Sequence, residues 1–163
     1  LIRGGFILLA GDGTAVAAQL SHLPIRATPG SAGLDVRVPQ ESLTLQANSR
    51  NLISIGLAIA LPQGYYGCIA PCSSLALKGI DVAAGVIDAD YTGEVKVLLV
   101  HNGPQTIILS QGEQFAQLIC ERIGLPDVQE VDALAPTIRV GGVGSTGCKK
   151  NFFLALKNKP SLC

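Results

Sequence analysis

The sequence has no methionine and little charge: Asp, Glu, Lys and Arg together supply 15% of its 163 residues, against 48% hydrophobic ones. Soluble domains average about 25% charged residues, so this chain carries more apolar surface than a monomer hides and reads as the subunit of an oligomer. Net charge is zero, and no run of Lys or Arg precedes the tail. A nucleic-acid polymer or an anionic membrane is therefore not an expected partner, whereas a small charged ligand met by a few local cations is. Long hydrophobic runs are missing as well. The longest, residues 52–61, is strand-rich and too short to cross a bilayer. Arg3 before Phe6-Ile7-Leu8-Leu9-Ala10 has the outline of a signal peptide, but the apolar run is short and Asp12 follows at once, so secretion is not expected. With Leu at position 1 and no Met, the chain reads as a processed or trimmed product.

Histidine is confined to His22 and His101. A zinc site at Cys68 and Cys72 would need two further ligands, and none is evident. Four apart on a strand, those two cysteines would stand about 13 Å apart, too far for a disulfide. The five cysteines have an odd count and no framework spacing. They read as free thiols of a reducing compartment, cytoplasm or nucleus.

What is present is a series of short strands with turn punctuation, on a chain long enough for one domain with its own core. Candidate strands cover residues 6–10, 34–38, 43–45, 52–60, 66–70, 80–82, 95–100, 106–109 and 115–123, separated by turns such as Pro62-Gln63-Gly64 and Asn102-Gly103-Pro104. This spacing predicts an all-β sandwich or barrel. The one helical turn expected is Ser73-Ser74-Leu75-Ala76-Leu77-Lys78-Gly79, with a Ser start and a closing Gly. The expected organisation is an N-terminal extension over residues 1–20, a β domain over 21–137, a glycine-rich arm over 138–147 and a tail over 148–163.

Five blocks carry chemistry. Residues 29–36 place Asp35 at a strand start behind a small-residue turn. Residues 70–76 end a strand on Ser73 and Ser74, hydroxyls at a helix start that suit an anion. Gly85-Val86-Ile87-Asp88-Ala89-Asp90-Tyr91-Thr92-Gly93 reads as a β-hairpin, its Asp and Gly tolerating the turn and Asp88 sitting just after an apolar pair. Residues 112–119 put Gln117 inside an apolar strand. Gly142-x-Gly144-x-x-Gly147 matches a dinucleotide fingerprint in form, yet no strand-helix-strand unit follows it, and Cys148 stands where a Walker loop needs Lys. What survives there is a nest of N–H groups with the Ser145 and Thr146 hydroxyls, fit for phosphate oxygens.

In this order and at these spacings, from about residue 23 to residue 147, the five blocks resemble the five motifs of the deoxyuridine triphosphate nucleotidohydrolase (dUTPase) family. The resemblance implies an all-β, jelly-roll-like β-barrel subunit in a homotrimer with shared active sites. It also implies Mg²⁺-dependent hydrolysis of dUTP to dUMP and pyrophosphate. By resemblance, Asp88 orients and deprotonates the attacking water and touches the sugar 3′-hydroxyl, while Asp35 organises hydrated Mg²⁺ through water. Ser73 bonds phosphate oxygens with the N–H groups of Ser74 and Leu75, and Gln117 binds the α-phosphate. The backbone of Gly85, Val86, Ile87 and Lys96 reads the uracil edge, and Tyr91 packs under the deoxyribose. Arg139, Val143, Gly144, Ser145 and Thr146 belong to the arm that closes on base and phosphates.

The chain departs from the pattern at four places. Cys72 holds the position of the second motif's Arg, Gln114 that of an Arg in the fourth, and Val143 that of the aromatic in the fifth; Ile138 stands where the fifth motif has Arg, with Arg139 one residue late. Each lost charge-assisted bond to phosphate costs about 1.5–3 kcal/mol. The rival readings are a weakened dUTPase-fold protein that binds nucleotide or a protein partner, and a dCTP deaminase, for which the segment offers Asp88 and Ala89 but no glutamate base.

Overall fold

Period-two alternation builds the strands: in Lys96–His101, Val97, Leu99 and His101 are buried while their neighbours are less so. A computed structural model of the chain describes residues 23–136 and 138, and the backbone alone of Ile7–Ala10. In chain order the elements are β1 (Ile7–Ala10), β2 (Leu34–Arg37), β3 (Ser42–Leu45), β4 (Ser49–Ser54), β5 (Leu57–Ala60), β6 (Tyr65–Pro71), α1 (Ser73–Ala76), β7 (Ile80–Ala83), β8 (Val86–Ile87), β9 (Lys96–His101), β10 (Ile107–Ser110) and β11 (Gln114–Arg122). All pairings are antiparallel. They form a four-stranded sheet β2-β11-β6-β8, a three-stranded sheet β4-β9-β7, and two strand pairs, β3-β10 and β1-β5. The all-β, jelly-roll-like expectation with one short helix is borne out.

One apolar core joins the sheets, with Val36 and Leu45 from the first strands, Ile69, Ile87, Val97 and Leu99 from the middle, and Phe115 and Leu118 from β11. His101 is buried among them and is satisfied there. Its Nδ1 accepts the Gly103 N–H (3.1 Å), so Nε2 carries the proton and donates to the Gln105 carbonyl (2.7 Å). Cys68, Cys72 and Cys120 are free. These elements belong to a compact unit that ends at Pro126. A second begins at Asp127, where residues 127–136 are exposed and carry no helix or strand.

Two expectations are corrected. The apolar run over residues 52–60 is not one strand. Gly56, at φ +70°, turns the chain out of β4 and into β5, which pairs with β1. Nor is the segment around Asp88 a hairpin. β8 pairs with β6, Gly67 facing Ile87 and Cys68 facing Val86, whereas β9 lies between β4 and β7. Asp88 to Val95 therefore cross from one sheet to the other. The turn chemistry is local and real, since the Tyr91 N–H donates to the Asp88 carbonyl (3.1 Å). Strand choice is settled by burial instead: Ile87 enters the core from the four-stranded sheet, and Val95 enters it at the end of the crossover, just before β9.

Candidate active site

The crossover frames a slot. Ile69, Ala84, Val86, Ile87, Asp88, Tyr91, Glu94, Val95 and Lys96 line a cavity of about 200 Å³ between β8 and the start of β9. That is smaller than the ~300–1,000 Å³ typical of whole-ligand pockets and suits one heterocycle or sugar. Gly85 makes the slot's wall possible. Its carbonyl accepts the Ile69 N–H (2.7 Å), and a Cβ added there would press on the Ile69 carbonyl. Ala84 beside it holds a left-handed backbone, φ +52°, as the chain leaves β7 for β8; such strain persists where the surroundings enforce it. Replacing Gly85 by Ala is expected to destabilise the fold by about 1–3 kcal/mol, because β8 must lift from β6. Denaturant unfolding measures the effect; an unchanged midpoint would show that the close approach is dispensable.

Tyr91 is 45% exposed, and its ring is held from below. Its hydroxyl donates to the Glu94 carbonyl (2.7 Å), and a Cβ at Gly93 would lie 2.8 Å from the ring's Cζ. The Glu94 carboxylate in turn accepts the Ser54 hydroxyl (2.7 Å) and the Gly56 N–H (3.0 Å), tying the crossover to the corner between β4 and β5. Asp88 is exposed. The awkward burial expected for it after an apolar pair does not occur, because the chain has already left the sheet.

A second group gathers on the face of the four-stranded sheet turned away from the core. Asp35 on β2 lies opposite Gln117 on β11, which lies opposite Ala70 on β6. Gln117 donates to the Pro71 carbonyl (3.0 Å). The Asp35 carboxylate takes the Gln114 amide on Oδ1 (2.7 Å) and Arg37 on Oδ2 (3.2 Å). Cys72 is buried beside it. Burial first, and the Asp35 charge second, push its thiol up, so it stays neutral and supplies neither thiolate nor cation. Ser73 and Ser74 are exposed at the start of α1, while Leu75 is buried and its N–H is engaged by the Cys72 carbonyl (3.0 Å). Of the donors expected here, the Leu75 N–H is thus already committed to the turn.

A β-bulge assembles this second group. The register of β11 on β2 shifts between Gln114 and Ala116, and both Phe115 and Ala116 point into the core. Strict alternation would put Gln114 and Gln117, three apart, on opposite faces; the extra residue puts both on the Asp35 face. Sequence reasoning missed Arg37, although its signal was available, since residues two apart on a strand share a face. It also missed Glu94.

The two groups do not meet within one chain. Asp35, Gln117 and Ser73 are not among the slot's lining. β8 lies against the Gly67 end of β6, and the Asp35 group against its Pro71 end. Gln117, with Asp35 beyond it, lies opposite Ala70, three strand steps of ~3.3 Å (about 10 Å) from the Gly67–Ile87 pair, and Ala70 faces away from the side on which Ile69 lines the slot. Arg139, Val143, Gly144, Ser145 and Thr146 lie outside the described residues, as does the tail from Cys148.

Among the described residues no three His, Cys, Asp or Glu side chains cluster as a metal cage. A lone carboxylate, Asp35, suits Mg²⁺ that keeps its waters and is held mainly by substrate phosphates.

An antiparallel jelly-roll subunit with a base-sized slot, and a separate polar group suited to phosphate, has the parts of a nucleotide hydrolase. The dUTPase family profile matches residues 19–147. The deoxyuridine 5′-triphosphate nucleotidohydrolase of Paramecium bursaria Chlorella virus 1 is 47% identical over 126 residues, 76% of this chain and 89% of that protein. The cowpox virus enzyme of the same name is 42% identical over 127 residues, 77% of this chain and 86% of its own. Among solved structures, the EIAV dUTPase superposes with a TM-score of 0.65 at 26% identity, over 78% of this chain and 97% of its own. The chain belongs to the dUTPase family.

Proposed function

We propose that this protein hydrolyses dUTP to dUMP and pyrophosphate, which limits the deoxyuridine triphosphate pool and supplies dUMP for thymidylate synthesis. The observation that carries the reading is the slot itself. Val86 and Ile87, on the strand that Gly85 holds flush against β6, line it together with Asp88 and Tyr91.

The backbone polar groups of Val86 and Ile87, with the Gly85 N–H and the backbone of Lys96 across the slot, hold the uracil edge; the Gly85 carbonyl is already taken by the Ile69 N–H. The Tyr91 ring, fixed by its bond to Glu94, lies under the deoxyribose and leaves no room for a 2′-hydroxyl. Asp88 sits in the open beside the slot, where it orients a water and takes its proton as that water attacks the α-phosphorus. Gln117, Ser73 and Ser74 hold the α-phosphate and its neighbours, stabilising charge as it develops. Mg²⁺, when bound, gathers and neutralises the triphosphate oxygens. Asp35 is the residue that would hold the ion, through its waters. The arm carrying Arg139, Val143, Gly144, Ser145 and Thr146 closes over the nucleotide. The dUTPase of phage phi11 of S. aureus, a fold relative at 20% identity, coordinates a structural Mg(II) ion.

The active form is a homotrimer whose sites are each shared between subunits. Two observations support this. Ile69, which lines the slot, points into the core, whereas the Asp35 group sits on the other face of the same sheet beside Ala70, an arrangement that a site shared between subunits reconciles. The core-distant face also carries Val86, 65% exposed, beside half-buried Cys68 and Ile119, apolar surface for a second copy to cover. No helix among the described residues is long and apolar enough to cross a membrane. The free thiols fit a reducing cytoplasm or nucleus.

The test is pyrophosphate release with Mg²⁺ from dUTP, dCTP, dTTP and UTP in parallel. Release from dUTP alone is expected. Ammonia from dCTP would transfer the protein to the deaminases, and turnover of UTP equal to dUTP would remove Tyr91 from its role.

A further inference from the structure

Two positions where the family motifs carry arginine, 72 and 114, hold Cys and Gln here; Gln114 bonds the Asp35 carboxylate, and the charge of that carboxylate also reaches the buried Cys72 thiol. That carboxylate is only 12% exposed, a setting in which an ionised group needs a compensating charge or a full set of hydrogen bonds. Gln114 gives one neutral bond, and Cys72 gives no charge. The single ion pair among the described residues is the one between Arg37 and Asp35.

Resting on the dUTPase reading, we infer that Arg37 is a positioning residue that supplies, from β2, the charge absent at positions 72 and 114, holding the Asp35 carboxylate in place opposite Gln117. Its geometry suits the task. Arg37 follows Asp35 by two residues, so both leave the same face of the strand. One arm of the guanidinium, Nη2, holds Asp35 Oδ2 (3.2 Å), and the other, Nη1, donates to the Gly112 carbonyl (3.0 Å). Gly112, at φ +81°, sits in the turn before β11, itself pinned by its N–H to the Val38 carbonyl (2.9 Å). The guanidinium is therefore anchored at both ends, and a lysine, with one point of charge, would reproduce only half of it. The bulge at Phe115 completes the arrangement by bringing Gln114 to the free side of the carboxylate.

The experiment compares the full-length protein with Arg37→Gln, Arg37→Lys and the double variant Arg37→Gln/Gln114→Arg. Two readouts are taken: steady-state dUTP hydrolysis, and calorimetric affinity for the non-hydrolysable analogue dUpNHpp with Mg²⁺ and with EDTA. Arg37→Gln is expected to lower kcat ten- to a hundredfold and to weaken Mg²⁺-supported analogue binding by a similar factor, while binding in EDTA stays the same. Arg37→Lys falls between. The double variant, which returns the charge from β11, regains most of both. Should Arg37→Gln fail to fold, as judged by thermal melting, Arg37→Lys against the double variant carries the comparison. Equal Mg²⁺ dependence in folded Arg37→Gln and wild type, or no recovery in a folded double variant, overturns the inference and leaves the dUTPase reading standing. A wild-type protein with no dUTP turnover overturns both.

Discussion

Replacing Asp88 by Asn is expected to lower kcat for dUTP by about 10²–10⁴ with little change in KM. The loss follows from position. Asp88 stands at the mouth of the slot, on a crossover that no longer belongs to either sheet, so its carboxylate is free to hold a water rather than to brace the fold. Asn keeps the shape and one acceptor oxygen but cannot take a proton, so binding is spared and the chemical step is not. An exposed, isosteric change of this kind moves stability by no more than about 0.5 kcal/mol. Pyrophosphate release measured beside thermal melting separates the two effects. Retention of more than about a tenth of wild-type turnover by a folded Asp88→Asn protein would remove Asp88 as the base.

The second large effect is a recovery. Asp88→Asn and Ser73→Ala, each expected to be impaired alone, should regain activity when unfolded together and refolded as mixed trimers. In a shared site the slot comes from one subunit and the phosphate-holding hydroxyl from its neighbour. Random assembly then gives roughly a quarter of sites with an intact Asp88 from one variant and an intact Ser73 from the other. Within one chain Asp88 follows β8 and lines the slot, whereas Ser73 follows β6 and is not among the slot's lining. Mixing the variants after separate folding is the control, and no recovery is expected there. If co-refolded protein is no more active than the sum of its parts, the site lies within one chain.

Much of the fold was legible because its strands are short and alternate. Candidate strands fell on every observed one outside the two places where the chain changes sheets. Those changes escaped notice for one physical reason: local turn chemistry does not name the partner strand. Gly56 looked like an apolar strand's interior residue, and Asp-Tyr-Thr-Gly looked like a hairpin tip, yet both are corners. The site was legible as a set of residues and not as a geometry. Val86, Ile87, Asp88, Tyr91 and Lys96 share the slot as expected, but their distance from Asp35, Gln117 and Ser73 could be read only from the pairing along β6. The face shared by Gln114 and Gln117 was hidden too, because a bulge breaks the alternation that would have separated them.

The slot's wall has a consequence for descent. Val86 and Ile87 meet the slot on a two-residue strand pressed to β6 through Gly85. A base held by amide and carbonyl groups is chosen by features that every residue type shares, Pro excepted. Drift at positions 86 and 87 can then change side chains without changing the choice of base, provided Gly85 stays. The Asp35 group has no such insulation, since it is built of side chains, and it is there that Cys72 and Gln114 stand where the family motifs have arginine. Diverging lineages built this way lose speed before they lose selectivity.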